Sequence, residues 1–303
     1  MYFATNLPMP TLPAEIAQEF EELRAARPGG SLHLLALVDC AFDGEILDNR
    51  YRRTLPPQSL YDNTALQQFG AAAPHLLTSP DGEGESLAWL SHLFATCGNK
   101  PMLSIIASPL TADELVRHIR PYLIAMTQDT VEWPVRWGDT RVLPALLAAL
   151  TESQRSHFLG PVARWWSPAR DGNLLRWDGV AEVPSPAPFD KLPVSDEAFG
   201  TLIDMAEADA VLARLSERQP DLIAKAVPAD CHARVARHLK LASANGIHAA
   251  PSREHFSALA LLLADDFTQY EAMVELLRQT RQGTDYKLAL AALPDEFWRV
   301  VER

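Results

Sequence analysis

The sequence is poor in the features that mark several common protein classes. Its 303 residues include three cysteines, Cys40, Cys97 and Cys231, and none lies in a C-x-x-C pair or at a zinc-ligand spacing. Core-like residues flank each of them, so we expect buried thiols. No run of about 18 apolar residues occurs, which excludes a predicted membrane span. The N-terminal residues lack the basic and apolar regions of a signal peptide, and we expect a cytoplasmic protein.

Basic residues are too few and too scattered to form a surface for nucleic acid or for anionic membrane. Lys and Arg total 27 against 39 Asp and Glu, which gives a net charge of −12. No basic stripe is visible along the chain, so neither nucleic acid nor membrane is an expected partner. A basic protein partner is electrostatically favoured.

Catalytic signatures are also missing. The chain contains no G-x-S-x-G, P-loop, G-x-G-x-x-G or H-E-x-x-H motif. The nine histidines are scattered without ligand spacing, so no metal and no cofactor is predicted. A hydrolase that uses Ser104 or Ser108 at a strand end is the enzymatic alternative, although serine is equally ordinary at the entry to a helix. The pattern favours a protein that is not an enzyme.

The predicted elements fall into two unlike parts, and the fold class is α+β. Buried strands and hairpins alternate with helices over residues 1–192, which predicts a mixed α/β sheet domain. Over residues 193–303 strand signals vanish, and apolar stripes at helical spacing predict a small all-α lobe. Residues 180–193 form the predicted linker, because they contain four prolines. These are Pro184, Pro186, Pro188 and Pro193.

Residues 131–178 hold five of the seven tryptophans. Alternation over residues 131–137 predicts a strand with Trp133, Val135 and Trp137 on one face. The next residues predict a leucine-rich helix, and the end of the segment predicts a closing hairpin.

Asp139 and Arg141 stand at the turn between this strand and the helix. One interpretation makes Asp139 the helix N-cap, with its carboxylate also paired to Arg141. The other makes the two residues a fixed polar anchor that faces a partner. Trp and Arg are the residue types most common at interface hot spots, although the tryptophans also suit a core. The candidate partner-binding residues are Trp133, Arg136, Trp137, Asp139 and Arg141.

Several stretches carry a resemblance to a known family. They are L-H-L-L-A-L-V-D-C-A from residue 32, I-I-A-S-P-L-T-A-D-E-L-V-R-H-I-R from residue 105, W-P-V-R-W-G-D-T-R-V-L-P-A-L-L-A-A-L from residue 133, and S-H-F-L-G-P-V-A-R-W-W from residue 156. In order and spacing they resemble the effector-adaptor (effector-chaperone) family of bacterial type VI secretion. The matching positions are Asp39, Arg136, Asp139, Arg141, Phe158, Gly160 and Pro161. Gly138 departs from the family pattern, which usually has a larger residue before the Asp.

This resemblance covers about residues 32–178 and implies a non-enzymatic role. Such adaptors bind a toxic effector in the producing cell and load it onto the VgrG-type spike protein of the secretion apparatus. The implied partners are one cognate effector, encoded beside the adaptor, and the spike. An immunity or scaffold protein that binds a toxin is a further alternative.

Overall fold

The computed structural model describes residues 2–28, 30–48, 54–82, 84–183, 185–224 and 226–301. By internal contacts the chain forms two compact units, here called the sheet unit (residues 5–203) and the helical unit (residues 1–4 with 204–303). The predicted α+β class is confirmed. The domain boundary at 192/193 stays a prediction, because compactness does not test independent folding. Pro184 of the predicted linker lies outside the described residues.

The sheet unit contains nine described strands and five complete α-helices. The strands are β1 (His33–Asp39), β2 (Gln58–Ser59), β3 (Pro74–Thr78), β4 (Leu103–Ser108), β5 (Ile124–Met126), β6 (Glu132–Pro134), β7 (Arg164–Pro168), β8 (Leu174–Asp178) and β9 (Leu192–Pro193). The helices are α1 (Leu12–Ala25), α2 (Glu85–Cys97), α3 (Ala112–Ile119), α4 (Leu143–Ala149) and α5 (Glu152–Leu159). Capping boxes begin α3 and α5, as the Thr-x-x-Glu and Thr-x-x-Gln patterns at 111 and 151 indicate.

Six strands form one sheet in the order β2-β3-β1-β4-β7-β8, and every neighbouring pair is antiparallel. A small second sheet has the order β6-β5-β9, and in it β5 and β9 are parallel. All six residues of β4 are buried, because helices cover both faces of the main sheet.

Two apolar cores flank the main sheet. One contains α1 and α2, with Phe20, Trp89 and Trp166. The other contains α3, α4 and α5, together with Trp165. Consecutive side chains of a strand point to opposite faces, so the adjacent tryptophans of β7 belong to different cores.

Glu19 of α1 joins this helix to the last two strands. Its Oε2 accepts hydrogen bonds from Trp166 Nε1 at 2.8 Å and Arg164 Nη1 at 3.0 Å. Its Oε1 accepts one from Arg176 Nη2 at 2.6 Å. One carboxylate therefore fixes α1 against both strands of the closing hairpin.

Replacing Glu19 by glutamine should lower the melting temperature at pH 7. Burial by itself raises the pKa of Glu19, but hydrogen bonds from Arg176, Trp166 and Arg164 outweigh it and lower the pKa to about 2. A folded-state pKa below the unfolded value stabilises the fold above the unfolded pKa, and that stabilisation is lost as pH falls. Thermal unfolding between pH 7 and pH 2 should show a smaller acid-induced loss for Glu19→Gln than for wild type. Glu22→Gln, at an exposed position of the same helix, is the matched control and should follow wild type.

The second unit is helical, as predicted. It contains most of α6 (Asp196–Arg218), which begins in the sheet unit, followed by α7 (Pro228–Ala244), α8 (Ala250–Leu262), α9 (Glu271–Arg281), α10 (Tyr286–Ala291) and α11 (Asp295–Val301). Phe256, Phe267 and Met273 are completely buried at its centre. Among the described residues, no helix combines the length and apolarity that crossing a membrane requires.

Candidate functional site

The polar candidates converge at the end of β1, where they form a chain of alternating charges. Arg136 donates from Nε and Nη2 to Asp39 Oδ2, at 3.1 and 2.9 Å. Arg141 pairs with both oxygens of Asp139, through Nε at 3.0 Å and Nη2 at 2.8 Å. Arg136 Nη1 lies 3.9 Å from Asp139 Oδ2 and links the two pairs. These four residues, Asp39, Arg136, Asp139 and Arg141, are called the Asp-Arg cluster below.

The turn that carries Asp139 differs from the predicted N-cap. α4 begins at Leu143, with Val142 in the capping position. Asp139 Oδ1 instead accepts a hydrogen bond from the main-chain N–H of Arg141, at 3.1 Å, two residues on. This is an Asx-turn, in which the aspartate folds its own loop ahead of the helix. Pro144 then lies in the first turn of α4, where its missing N–H costs no helical hydrogen bond.

Gly138 lets this turn approach β1. A Cβ at residue 138 would lie 2.8 Å from the Cβ of Asp39, which is closer than packed side chains allow. The resemblance marks residue 138 as a departure from the family pattern, and here the glycine is what admits Asp39. The close approach lets Arg136 reach Asp39, 97 positions away in the chain.

Phe42 lies against both guanidinium groups of the Asp-Arg cluster. The Cζ atoms of Arg136 and Arg141 lie 4.7 and 5.3 Å from its ring centroid. Both distances fall within the range of cation–π attraction. No local pattern marks Phe42, because it belongs to a polar stretch without periodicity and its partners lie far along the chain.

The cluster contains two buried carboxylates under two less buried guanidinium groups. Asp39 is 0% exposed and Asp139 is nearly so, whereas the side chain of Arg136 is 40% exposed. Burial raises the pKa of the Asp39 carboxyl, and Arg136 and the main-chain N–H of Ala41 oppose that rise. The formal charges cancel, and each carboxylate is paired. The arrangement therefore suits a rigid polar anchor better than proton transfer or nucleophilic attack.

The two tryptophans that were predicted on one strand face occupy different environments. β6 covers only Glu132–Pro134, so the strand predicted from the alternation does not extend to Trp137. Trp137 is 0% exposed; it packs 4.2 Å from the Phe158 ring and donates from Nε1 to the carbonyl of Tyr122 at 2.8 Å. The assignment of Trp137 to an accessible partner surface is therefore corrected: in this fold it is a core residue.

Trp133 remains a surface residue. It is 44% exposed, and its ring lies 5.0 Å from that of Phe199 on α6. Ile203, one turn further along α6, is also exposed, as is Val131 before β6. Val131, Trp133, Phe199 and Ile203 are called the Trp133 patch below. The patch and the guanidinium of Arg136 are the accessible parts of the predicted site.

Other chemically suggestive residues lie in the interior. Ser104 and Ser108 are both 0% exposed, and Ser108 Oγ donates to the carbonyl of Pro161 at 2.7 Å. All three cysteines are buried and unpaired by disulfides, as predicted. Burial raises the pKa of Cys40 and of Cys97 to about 12, which disfavours thiolate chemistry. Across the described residues, no group of three His, Cys, Asp or Glu side chains is placed to hold a metal ion.

A known family model matches the part of the chain that contains this site. Residues 34–157 match the model of a domain of unknown function, DUF4123. The DUF4123 segment runs from β1 to α5 and contains the whole Asp-Arg cluster, Phe42 and Trp133. It also falls within residues 32–178, the span of the resemblance described above. No curated protein and no solved structure matches the chain.

Proposed function

We propose that this chain is a non-enzymatic adaptor that binds one type VI secretion effector in the cytoplasm of the producing cell and loads it onto the VgrG-type spike. The observation that carries the proposal is the DUF4123 match over residues 34–157. It covers most of three of the four stretches that resemble the effector-adaptor family and the start of the fourth. The charged positions of that resemblance, Asp39, Arg136, Asp139 and Arg141, lie together in space.

The form of the site supports binding over catalysis. In the Asp-Arg cluster every carboxylate has a guanidinium partner, so the cluster holds its loop in one conformation. The Trp133 patch, which begins five residues before Arg136 in the chain, exposes aromatic and aliphatic side chains. A pre-ordered loop beside an exposed aromatic surface is typical of protein interfaces, because little conformational entropy is lost on binding.

The hydrolase alternative depends on Ser104 or Ser108. Both hydroxyls are enclosed between strands and helices, so a substrate carbonyl has no route to them in this fold. The immunity alternative shares the binding role and differs in its consequence for the cell. It predicts protection from the toxin and no effect on secretion.

Replacing Trp133 by aspartate should weaken effector binding by about tenfold or more, since truncation of a central interface aromatic commonly costs over 1 kcal/mol. The full-length chain would be co-expressed with the effector encoded beside it, and the affinity would be measured by calorimetry on purified partners. Phe69→Asp is the matched control, because Phe69 is 51% exposed in the same unit but belongs to neither the Trp133 patch nor the Asp-Arg cluster. The control should bind as wild type does.

Secretion completes the test of the adaptor role. Deleting the gene for this chain should abolish delivery of that effector while the spike itself is still secreted. Separate elution of chain and effector on size exclusion, or unchanged delivery after deletion, would contradict the proposal. Protection from the toxin without any secretion defect would instead favour an immunity protein.

A further inference from the structure

The two sheets end in four edge strands, and one of them differs from the rest. β2 has two residues and follows Pro56 and Pro57; β6 includes Pro134; β9 has two residues and ends in Pro193. Short strands and prolines are common means of blocking further pairing at a sheet edge. β8 has five residues, no proline, and an uninterrupted register with β7 from 174 to 178. It is therefore the edge best suited to accept another strand.

The register shows which main-chain groups of β8 point outward. Ala169 N–H donates to the carbonyl of Asn173 at 2.8 Å, next to the last ladder pair, Pro168 with Leu174. Hydrogen-bonded and non-hydrogen-bonded pairs alternate in antiparallel ladders, so the main-chain groups of Leu175 and Trp177 form the hydrogen bonds to β7. Arg176 and Asp178 then direct their N–H and C=O groups away from the sheet. In the part of the chain that the structure describes, no residue pairs with these groups.

The side chains of β8 give the edge two distinct rows. Arg176 and Asp178 lie on the α1 side, where Arg176 pairs with Glu15 and Glu19, and Asp178 pairs with Arg164. These three carboxylates and two guanidinium groups leave one negative charge. Leu175 and Trp177 lie on the other side and are half-buried, with Trp177 packed against the α3–α5 core.

We propose that β8 is the docking edge for an extended segment of the client effector, which adds to the main sheet as a seventh strand. This inference rests on the proposed adaptor function. The row of residual negative charge fits basic side chains, and the Leu175–Trp177 row fits apolar ones, so the incoming segment alternates basic and apolar residues.

A second copy of this chain is a poorer occupant of the same edge. Pairing two β8 strands would bring two α1 helices, each with Glu15 and Glu19, to one junction. The chain carries a net charge of −12, which opposes that approach. The extended segment of a basic partner is instead attracted by this negative charge.

Hydrogen exchange on the full-length chain, alone and in complex with its effector, tests the docking edge directly. The amides of Arg176 and Asp178 should exchange about tenfold or more slowly in the complex, because they gain strand partners. A complex that forms without slower exchange across residues 174–178 would overturn the β8 proposal and leave the adaptor function standing. Failure to form any complex would overturn both. Slow exchange of these amides in the free chain, with a dimeric mass by light scattering, would show that a second copy occupies the edge.

A pair of variants isolates the outward N–H. Arg176→Pro removes both the side chain and the N–H that points away from β7, whereas Arg176→Ala removes the side chain alone. We expect Arg176→Pro to bind the effector about tenfold more weakly than Arg176→Ala, since an acceptor of the partner loses its donor. Circular dichroism would establish that both variants are folded. Equal affinities of the two folded variants would refute the docking edge, and the exchange measurement on wild type decides the question if Arg176→Pro does not fold.

Discussion

Replacing Trp137 by alanine should reduce the free energy of unfolding by about 4 kcal/mol, the usual cost of deleting a large aromatic side chain from a well-packed core. The indole is completely enclosed, lies against Phe158 and donates a hydrogen bond to the carbonyl of Tyr122. Its removal would leave a cavity and an unpaired carbonyl at once. Denaturant unfolding followed by circular dichroism measures the effect.

Trp133→Ala is the natural control, because both indoles come from the same short segment. Trp133 is 44% exposed, and its loss should cost about 1 kcal/mol or less, since only part of its surface leaves water on folding. Similar losses for the two variants would show that the indoles are equally buried in solution and would contradict the fold around β6.

Arg136→Ala should destabilise the chain at neutral pH by about 3 kcal/mol, because it leaves the enclosed carboxylate of Asp39 without its partner. Adding Asp39→Asn should restore part of this loss, since a neutral amide is cheaper to bury than an unpaired charge. The measurement is a double-mutant cycle of unfolding free energies. Additive effects of the two substitutions would show that the pair is not coupled.

The same variant should acquire a characteristic pH dependence. Burial raises the pKa of Asp39, and in Arg136→Ala the opposing guanidinium is gone, so the folded pKa lies further above the unfolded one. The folded variant then binds a proton more tightly than the unfolded chain does. Its destabilisation should be smallest below the unfolded pKa and should grow as pH rises through the folded value. The Asp39→Asn/Arg136→Ala double variant should lack this dependence.

Local patterns predicted the fold where one short segment decides the outcome. The capping boxes at Thr111 and Thr151 depend on residues three apart, and the closing hairpin depends on its turn sequence, so both were confirmed. The single strand predicted over 131–137 was wrong beyond Pro134. Apolar residues continue to alternate past that point, but the strand ends there and Trp137 packs into the core instead.

The candidate site was predictable only in part, for the same reason. Asp139 and Arg141 are two residues apart, and their pairing could be stated from the sequence. The partner of Arg136 lies at Asp39, and the approach depends on the bare α-carbon of Gly138. Phe42 joins the site through contacts with residues more than ninety positions away. Sequence spacing carries no information about such contacts.

The neighbouring indoles of β7 constrain how this chain can vary. Trp165 sits opposite Ile106 and Trp166 opposite Ile105, and each fills the interior on its own side. Inserting or deleting one amino acid in β7 would exchange the two sides for every residue that follows in the strand. Relatives that differ in length should therefore carry their insertions in the connecting loops. The number of residues in this strand, and the side that each of them faces, should be the same among them.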